Sequence, residues 1–260
     1  MKNLAASFIT ECMKLRRSKI FVITIVFFIF IPLMMGLLMI VAQHPEMSAK
    51  LGIIGTKAKL FGENNWEGYF TGLLQIIAAI GIIGFGFVTS WVFGREYIDH
   101  TLTNILALPV SRSSIVVSKF IVVVLWCVIL VVVMFIAGIA IGKLIGIPEW
   151  SDQLFSQFIS KYITVSCLTI LLVTPVALIA GYGRGIIAPI AFVILMLIIA
   201  QFVSFVGLGP YFPWAIPGLY TVPAGTEGME IVISSYIILF ATVIIGFVGT
   251  IAWWRFADHK

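Results

Sequence analysis

The sequence predicts an all-α integral membrane protein with six membrane-spanning helices in a single domain of residues 1–260. Of its residues, 61% are hydrophobic and only 10% are charged, with a mean hydropathy of +1.16. A soluble domain carries about 25% charged residues and could not hide this much apolar surface from water. The apolar residues also fall into six runs, each with the roughly 20 residues that a hydrocarbon core requires.

The six runs define the predicted spans. They are Ile20–Ala42, Tyr69–Phe93, Val116–Ile141, Tyr162–Tyr182, Ile186–Val206 and Ile231–Trp254. The first run is longer than a signal-peptide core of about 7–15 residues and lacks a small-residue cleavage site, so it is a retained span and not a signal peptide. Only Gly183–Gly185 separates the fourth run from the fifth, which predicts a tight hairpin.

The segment 1–19 precedes the first span and is basic. Its apolar residues Leu4, Phe8, Cys12 and Leu15 recur at helical spacing. This pattern is typical of an amphipathic helix that lies along a membrane surface. We therefore expect a surface helix at residues 1–19.

The basic residues predict the orientation of the spans. With the N-terminus inside, eleven Lys and Arg residues fall on the inner side and five on the outer side. The inner set is Lys2, Lys14, Arg16, Arg17, Lys19, Arg95, Arg112, Lys119, Arg184, Arg255 and Lys260. The positive-inside rule then predicts that both termini are cytoplasmic. Because the basic residues flank the apolar runs and do not form one soluble face, nucleic acid is not an expected partner.

The interiors of the second to sixth spans carry no Asp, Glu, Lys, Arg or His apart from Lys119, near the start of the third. Ion-coupled transporters need ionisable groups at membrane depth, so coupling to an ion gradient is disfavoured. No nucleophile–base pair, metal-binding motif or ATP-binding loop is present, so neither a catalytic residue nor a metal site is predicted. Six polar residues within the spans are candidates for a substrate path: Gln75, Thr89, Ser166, Thr169, Gln201 and Ser204.

The outer segment 207–230 combines prolines with aromatic residues, among them Pro213, Trp214, Pro217 and Tyr220. Two interpretations remain open. The segment forms short re-entrant helices that dip into the interface, or it is an aromatic belt that anchors the sixth span.

The loop 94–115 between the second and third spans is the most informative stretch. Residues Asp99–Leu108 can form a short helix with Asp99 or Thr101 as N-cap, and Pro109 ends it. Such a helix suits docking into the groove of a partner protein and suits lying on lipid equally well.

Three motifs carry a resemblance to a known family. The loop pattern G-R-E-Y-x-D-x-T-L-x-x-x-L-A-L-P-V-S-R-x-x-I-x-x-S-K, at Gly94–Lys119, resembles that of ABC type-2 exporter permeases. It is most similar to the branch that serves bacitracin and lantibiotic self-protection and peptide export. The segments Glu11–Lys19 and Tyr211–Pro217 resemble the same group.

This resemblance implies a division of labour. In such permeases the loop forms a coupling helix that rests on a separate ATP-binding subunit, which would hold ATP and Mg, while the permease binds no cofactor. The candidate contact residues are Arg95, Glu96, Asp99, Thr101, Leu102, Leu106, Pro109 and Arg112. Glu96 and Arg112 are the preferred charged contacts, and segment 1–19 corresponds to the elbow helix.

The function expected from the resemblance is that of a permease subunit of an ATP-driven exporter in the bacterial plasma membrane. Two permease chains, identical or paralogous, would form the path for a hydrophobic or amphipathic peptide. The alternative is a passive channel or membrane scaffold without ATP coupling.

Overall fold

The computed structural model describes residues 2–43, 64–102, 110–222 and 230–257. Within these ranges the regular structure is helical, and six helices are long and apolar enough to cross a membrane. The predicted fold class is therefore confirmed. The six span helices also follow the predicted order along the chain.

Nine α-helices follow one another along the described chain. They are α1 (Lys2–Arg16), α2 (Lys19–Gln43), α3 (Trp66–Ile98), α4 (Arg112–Ile145), α5 (Asp152–Leu171), α6 (Val173–Tyr182), α7 (Ile187–Phe205), α8 (Ile216–Leu219) and α9 (Ile233–Phe256). A 3₁₀ turn at Gly209–Tyr211 precedes α8. The spans are α2, α3, α4, the pair α5–α6, α7 and α9.

Helix α3 is longer than its predicted span at both ends. Its first turn is capped by Asn65, whose side-chain oxygen accepts from the N–H of Gly68 at 3.0 Å. At the other end the helix continues to Ile98, and Asp99 is its C-cap. Asp99 therefore ends α3 and does not begin the predicted loop helix, whose residues 103–109, including Leu106 and Pro109, lie outside the described residues.

The fourth span is broken at Leu172, which the apolar pattern did not predict. Proline at position 175 has no N–H, and its ring clashes with the carbonyl of the residue four positions earlier, Leu171. The helix therefore ends as α5 at Leu171 and restarts as α6 at Val173.

Helix α9 packs against this break at very short range. A Cβ atom on Gly246 would collide with the backbone nitrogen of Pro175 and lie 2.6 Å from the carbonyl carbon of Thr174. The hydroxyl of Thr174 also donates to the carbonyl of Val243, at 3.0 Å. Glycine at position 246 thus allows two backbones to touch.

The pair Gly138 and Gly142 makes room on α4 for bulky side chains of α3. A Cβ on Gly142 would lie 2.5 Å from the ring of Trp66, and one on Gly138 would lie 3.0 Å from Leu73. The hydroxyl of Tyr69 donates to the carbonyl of Gly138 at 3.0 Å. Small residues one turn apart therefore admit a bulky neighbour here.

The described bundle has two chemically different ends. One end, here called the basic end, contains α1, the end of α3, the start of α4, the 183–185 turn and the end of α9. Ten described Lys and Arg residues lie on these segments or directly after α1: Lys2, Lys14, Arg16, Arg17, Lys19, Arg95, Arg112, Lys119, Arg184 and Arg255. The opposite end is aromatic, with Trp66 and Trp150 in edge contact at 4.8 Å.

Gly246→Ala is expected to separate α9 from α6, because the added methyl group would meet backbone atoms that cannot rotate away. Overpacking of this kind costs about 1–3 kcal/mol. The thermal unfolding of the purified protein in detergent should shift down by several degrees. Gly218→Ala is the matched control, since a Cβ there meets nothing within 4 Å. Equal melting temperatures for the two variants would contradict the close contact.

Candidate functional site

Four charged side chains from three helices meet at the basic end. Glu11 and Lys14 lie one turn apart on α1, Glu96 lies near the end of α3, and Lys119 lies in the second turn of α4. Lys14 Nζ lies 2.7 Å from Glu11 Oε1 and 2.9 Å from Glu96 Oε1. Lys119 Nζ lies 2.6 Å from Glu96 Oε2 and 3.3 Å from Glu11 Oε2. Each charge therefore contacts two opposite charges, and we refer to this closed set as the four-charge ring.

The ring is electrically balanced, and three of its four members are buried, while the side chain of Lys14 is 27% exposed. Lys119 is 0% exposed, Glu96 2% and Glu11 8%. Lys119 Nζ also donates to the carbonyl of Val92 at 2.9 Å. Taking a charge out of water costs several kcal/mol, and removal of one partner leaves the others uncompensated. The ring therefore makes the docking of α1 on α3 and α4 dependent on all four side chains.

The environment of the ring shifts the pKa values of its two α1 members. Burial alone would raise the pKa of Glu11, but Lys119 and Lys14 outweigh burial and hold that pKa below its ordinary value of 4.5. Burial alone would lower the pKa of Lys14, but Glu96 and Glu11 raise it above 10.5. Both shifts favour the charged forms that the ring contains.

The two preferred charged contacts are both engaged within the chain. Glu96 lies inside the ring and is not exposed to a partner. Arg112 Nη1 donates to the carbonyl of Arg255 at 3.1 Å and to that of Trp254 at 3.4 Å. These are terminal carbonyls of α9, so Arg112 joins the start of α4 to the end of α9. Their direct contact with an ATP-binding subunit stays a prediction that this arrangement does not favour.

The other described candidates differ in exposure. Arg95 Nε lies 3.0 Å from Asp99 Oδ2, and the guanidinium carbon lies 4.9 Å from the centre of the Trp91 ring. Asp99 is exposed, Thr101 is half-buried, and Leu102 is buried. The adjacent side chains at this edge that remain open to a partner are Ile98, Asp99 and His100, of which Ile98 is 53% exposed.

Sequence reasoning missed the ring and Ile98. Glu11 appeared only as part of a family motif, and Lys119 appeared as an inner basic residue, as the end of the loop motif and as an exception to the uncharged spans. One signal was available: a lone lysine inside an apolar run requires a buried partner of opposite charge. Nothing in the spacing of Glu11, Glu96 and Lys119 indicated that they meet.

A cavity of about 370 Å³ lies between α3, α7 and the segment 209–222, away from the basic end. Gln75, Gln201 and Ser204, three of the six path candidates, line it together with Trp214. Its other lining residues are Ala78, Ala79, Leu197, Ala200, Ala215, Gly218, Leu219, Thr221 and Val222. We call this cavity the outer cleft. Its walls are apolar, with uncharged polar groups between them.

The outer cleft contains amide groups at positions within apolar span helices, where such groups are uncommon. Gln75 and Gln201 lie within span helices and are exposed, although a lipid-facing amide would have no hydrogen-bond partner. The indole nitrogen of Trp214 is buried and has no acceptor in the part of the chain described. Polar side chains in spans face a cavity or a protein neighbour. The outer cleft is the place where these amides meet.

The other three path candidates lie inside the helix bundle and do not line this cavity. The hydroxyls of Thr89 and Thr169 each donate at 2.7 Å to a carbonyl four residues earlier on their own helix. Ser166 is 3% exposed, and its hydroxyl has no partner among the described residues. The structure thus does not bring these three together with Gln75. Within the described ranges no group of three or more His, Cys, Asp or Glu residues could hold a metal ion.

The ring predicts a pH window for the docking of α1. Because the pKa of Glu11 is lowered by folding, its contribution is present above pH 4.5 and is lost as the pH falls through the lowered value. Because the pKa of Lys14 is raised, its contribution is present below pH 10.5 and is lost as the pH rises through the raised value. The protection factors of the α1 amides, which are corrected for the intrinsic pH dependence of exchange, should therefore stay high between these limits and fall outside them.

Glu11→Gln should accelerate α1 exchange at neutral pH, because two lysines would then share one carboxylate. The expected loss is about 3–5 kcal/mol. The variant should also remove the loss of α1 docking at low pH that protonation of Glu11 causes. Asp99→Asn, which breaks an exposed ion pair, is the control and should cost less than about 1 kcal/mol. Equal exchange in the two variants would show that the ring does not hold α1.

Comparison with known proteins identifies a family that this chain matches. The family model described as "ABC-2 family transporter protein" matches residues 7–201. The chain is also 26% identical to the bacitracin transport permease protein BCRB of Bacillus licheniformis over 186 residues, which is 71% of this chain and 88% of that protein. No solved structure matches.

The family match covers α1 to most of α7, and so includes the ring and both span helices that border the outer cleft. Six apolar span helices in the predicted order agree with it. The chain belongs to the ABC-2 family of transporter proteins and is a multi-pass membrane permease.

Proposed function

We propose that this chain is the permease subunit of an ATP-driven exporter and that a separate subunit binds and hydrolyses ATP. The basic end faces the cytoplasm, because described Lys and Arg residues concentrate there. The similarity to a bacitracin transport permease supports an antimicrobial peptide as the substrate. A second permease chain completes the path, since one chain of six spans encloses little space.

The proposal rests on one observation. On each side of the loop between α3 and α4, a charged residue fixes the adjoining helix to other helices. On the α3 side, Glu96 joins the four-charge ring with α1 and α4. On the α4 side, Arg112 binds the last carbonyls of α9. A displacement of this loop by an ATP-binding subunit is therefore transmitted to four helices together. Such linkage is what coupling a remote ATPase to a membrane path requires.

Ile98→Glu is expected to weaken the contact with the ATP-binding subunit, because a charge replaces an exposed apolar side chain at the root of the loop. Truncation of a central interface residue typically costs 2 kcal/mol or more, so affinity should fall by about tenfold or more. Co-purification of the ATP-binding subunit in mild detergent and its stimulated ATPase activity are the measurements.

Ile233→Glu is the matched control, since Ile233 is 80% exposed at the opposite end of the bundle. Equal effects of the two variants would remove Ile98 and its loop from the contact. If the wild-type chain recruits no ATPase, and alone conducts solutes across liposomes, the protein is a passive channel.

The outer cleft supports an amphipathic substrate. Its apolar walls suit a hydrophobic side chain or acyl group, and Gln75, Gln201 and Ser204 suit the amides of a peptide backbone. No charged residue lines it within the part of the chain that the structure describes. We therefore propose that the cleft contacts uncharged, hydrogen-bonding parts of the substrate.

The double variant Gln75→Leu with Gln201→Leu should lower resistance to bacitracin in cells that depend on this transporter. Each lost hydrogen bond is worth about 1 kcal/mol, so transport efficiency should fall by roughly fivefold or more. Gln153→Leu, at an exposed glutamine outside the cleft, is the control. Unchanged resistance in the double variant, at equal expression, would exclude the cleft from the path.

A further inference from the structure

A second cavity lies beside the four-charge ring, between α1 and the end of α3, and nothing in the proposed transport function uses it. Its volume is about 420 Å³. Its lining residues are Thr10, Met13, Lys14, Arg17, Ser18, Trp91 and Arg95. We call it the basic cavity. Three of its seven lining residues are cationic, and none is acidic.

The acidic side chains nearby are committed to other contacts. Glu11 and Glu96 bind Lys14 and Lys119 within the ring. Asp99 binds Nε of Arg95. The local balance of Lys14, Lys119, Arg95 and Arg17 against these three carboxylates leaves one positive charge, and exposed Arg16 and Lys19 add to it.

The cavity also retains hydrogen-bond donors that the protein does not use. Arg17 is exposed, and its guanidinium makes no hydrogen bond or ion pair with the described residues. Among the described residues, Arg95 bonds Asp99 through Nε, which leaves both terminal nitrogens available. Lys14 has three N–H donors and gives two of them to carboxylates. Ser18 Oγ accepts from the N–H of Ile20, so its own proton is free to donate.

These donors lie at the ends of two span helices, where lipid headgroups are expected. The first span helix begins at Lys19, directly after Ser18, and Arg95 lies one turn before the end of the second span helix. The rim includes Met13, which is 54% exposed, and Trp91. Val22 and Val26, each 59% exposed, follow on α2 toward the hydrocarbon core. An anion with an apolar tail fits this gradient from cationic to apolar surface.

We propose that the basic cavity binds the phosphate of an anionic phospholipid, with Arg17 and Arg95 as the principal donors and the acyl chains along the exposed face of α2. Guanidinium groups suit phosphate because their planar N–H groups can donate in pairs. The bound lipid would link α1 to the end of α3 beside the ring. It would therefore stabilise α1 in its docked position.

The test measures the binding of short-chain phosphatidylglycerol and of phosphatidylcholine with the same acyl chains to the purified full chain by native mass spectrometry. Phosphatidylglycerol should bind more tightly, because phosphatidylcholine carries no net charge. Arg17→Ala should weaken the binding of phosphatidylglycerol by about tenfold or more, the effect of one charge-assisted hydrogen bond.

Arg16→Ala is the matched control: it removes the same charge from an exposed neighbouring residue that does not line the cavity. The proposal is overturned if both lipids bind equally or if the two arginine variants lose the same affinity.

Inorganic phosphate and glycerol 3-phosphate are tested as competitors of phosphatidylglycerol. If either displaces phosphatidylglycerol at equal concentration, the cavity is a site for free anions and not for lipid. If Arg17→Ala reduces recruitment of the ATP-binding subunit and leaves lipid binding intact, the cavity belongs to that protein contact.

Discussion

Two glutamates and two lysines meet at the basic end, and all of them except the partly exposed Lys14 are buried. The arrangement is tolerable only because each charge meets two of opposite sign, so no charge is left uncompensated. This all-or-none requirement fixes the relative positions of α1, α3 and α4. Because Glu96 is three residues before Asp99, the same requirement fixes where the loop to α4 leaves the bundle.

Further contacts at the basic end join α9 and the 183–185 turn to the helices that the ring holds. Arg112 binds the carbonyl ends of α9, and Gly94 allows the 183–185 turn to approach α3, with the carbonyl of Gly185 only 2.5 Å from where a Cβ would lie. The second, third and sixth spans and the turn between the fourth and fifth are therefore joined near the two ends of one loop. The exposed Ile98 and Asp99 lie at the edge of this joined surface. A rigid base with an exposed edge is the form expected of a surface that transmits force from a partner.

The outer cleft follows from a different constraint, the absence of water in the hydrocarbon core. A hydroxyl in a span can satisfy itself by donating to its own helix, as Thr89 and Thr169 do. The longer amides of Gln75 and Gln201 project from different helices into one cavity. The polar residues of the spans therefore form two groups. Most of those within the bundle donate hydrogen bonds to their own helix, whereas those around the cavity retain donors and acceptors for a ligand. That unused capacity is the reason to assign the cleft to a substrate.

The sequence by itself determined the number, order and approximate limits of the spans, because the bilayer imposes a minimum apolar length on each. It also determined the hairpin at Gly183–Gly185. The tertiary structure decided the break of the fourth span at Leu172, where α9 packs backbone to backbone against Pro175. It likewise decided that Glu96 lies buried with Lys119 and Glu11, and that three of six path candidates share one cavity. These contacts join residues far apart in the chain, and periodicity reports only which face a residue occupies, not which distant side chain meets it there.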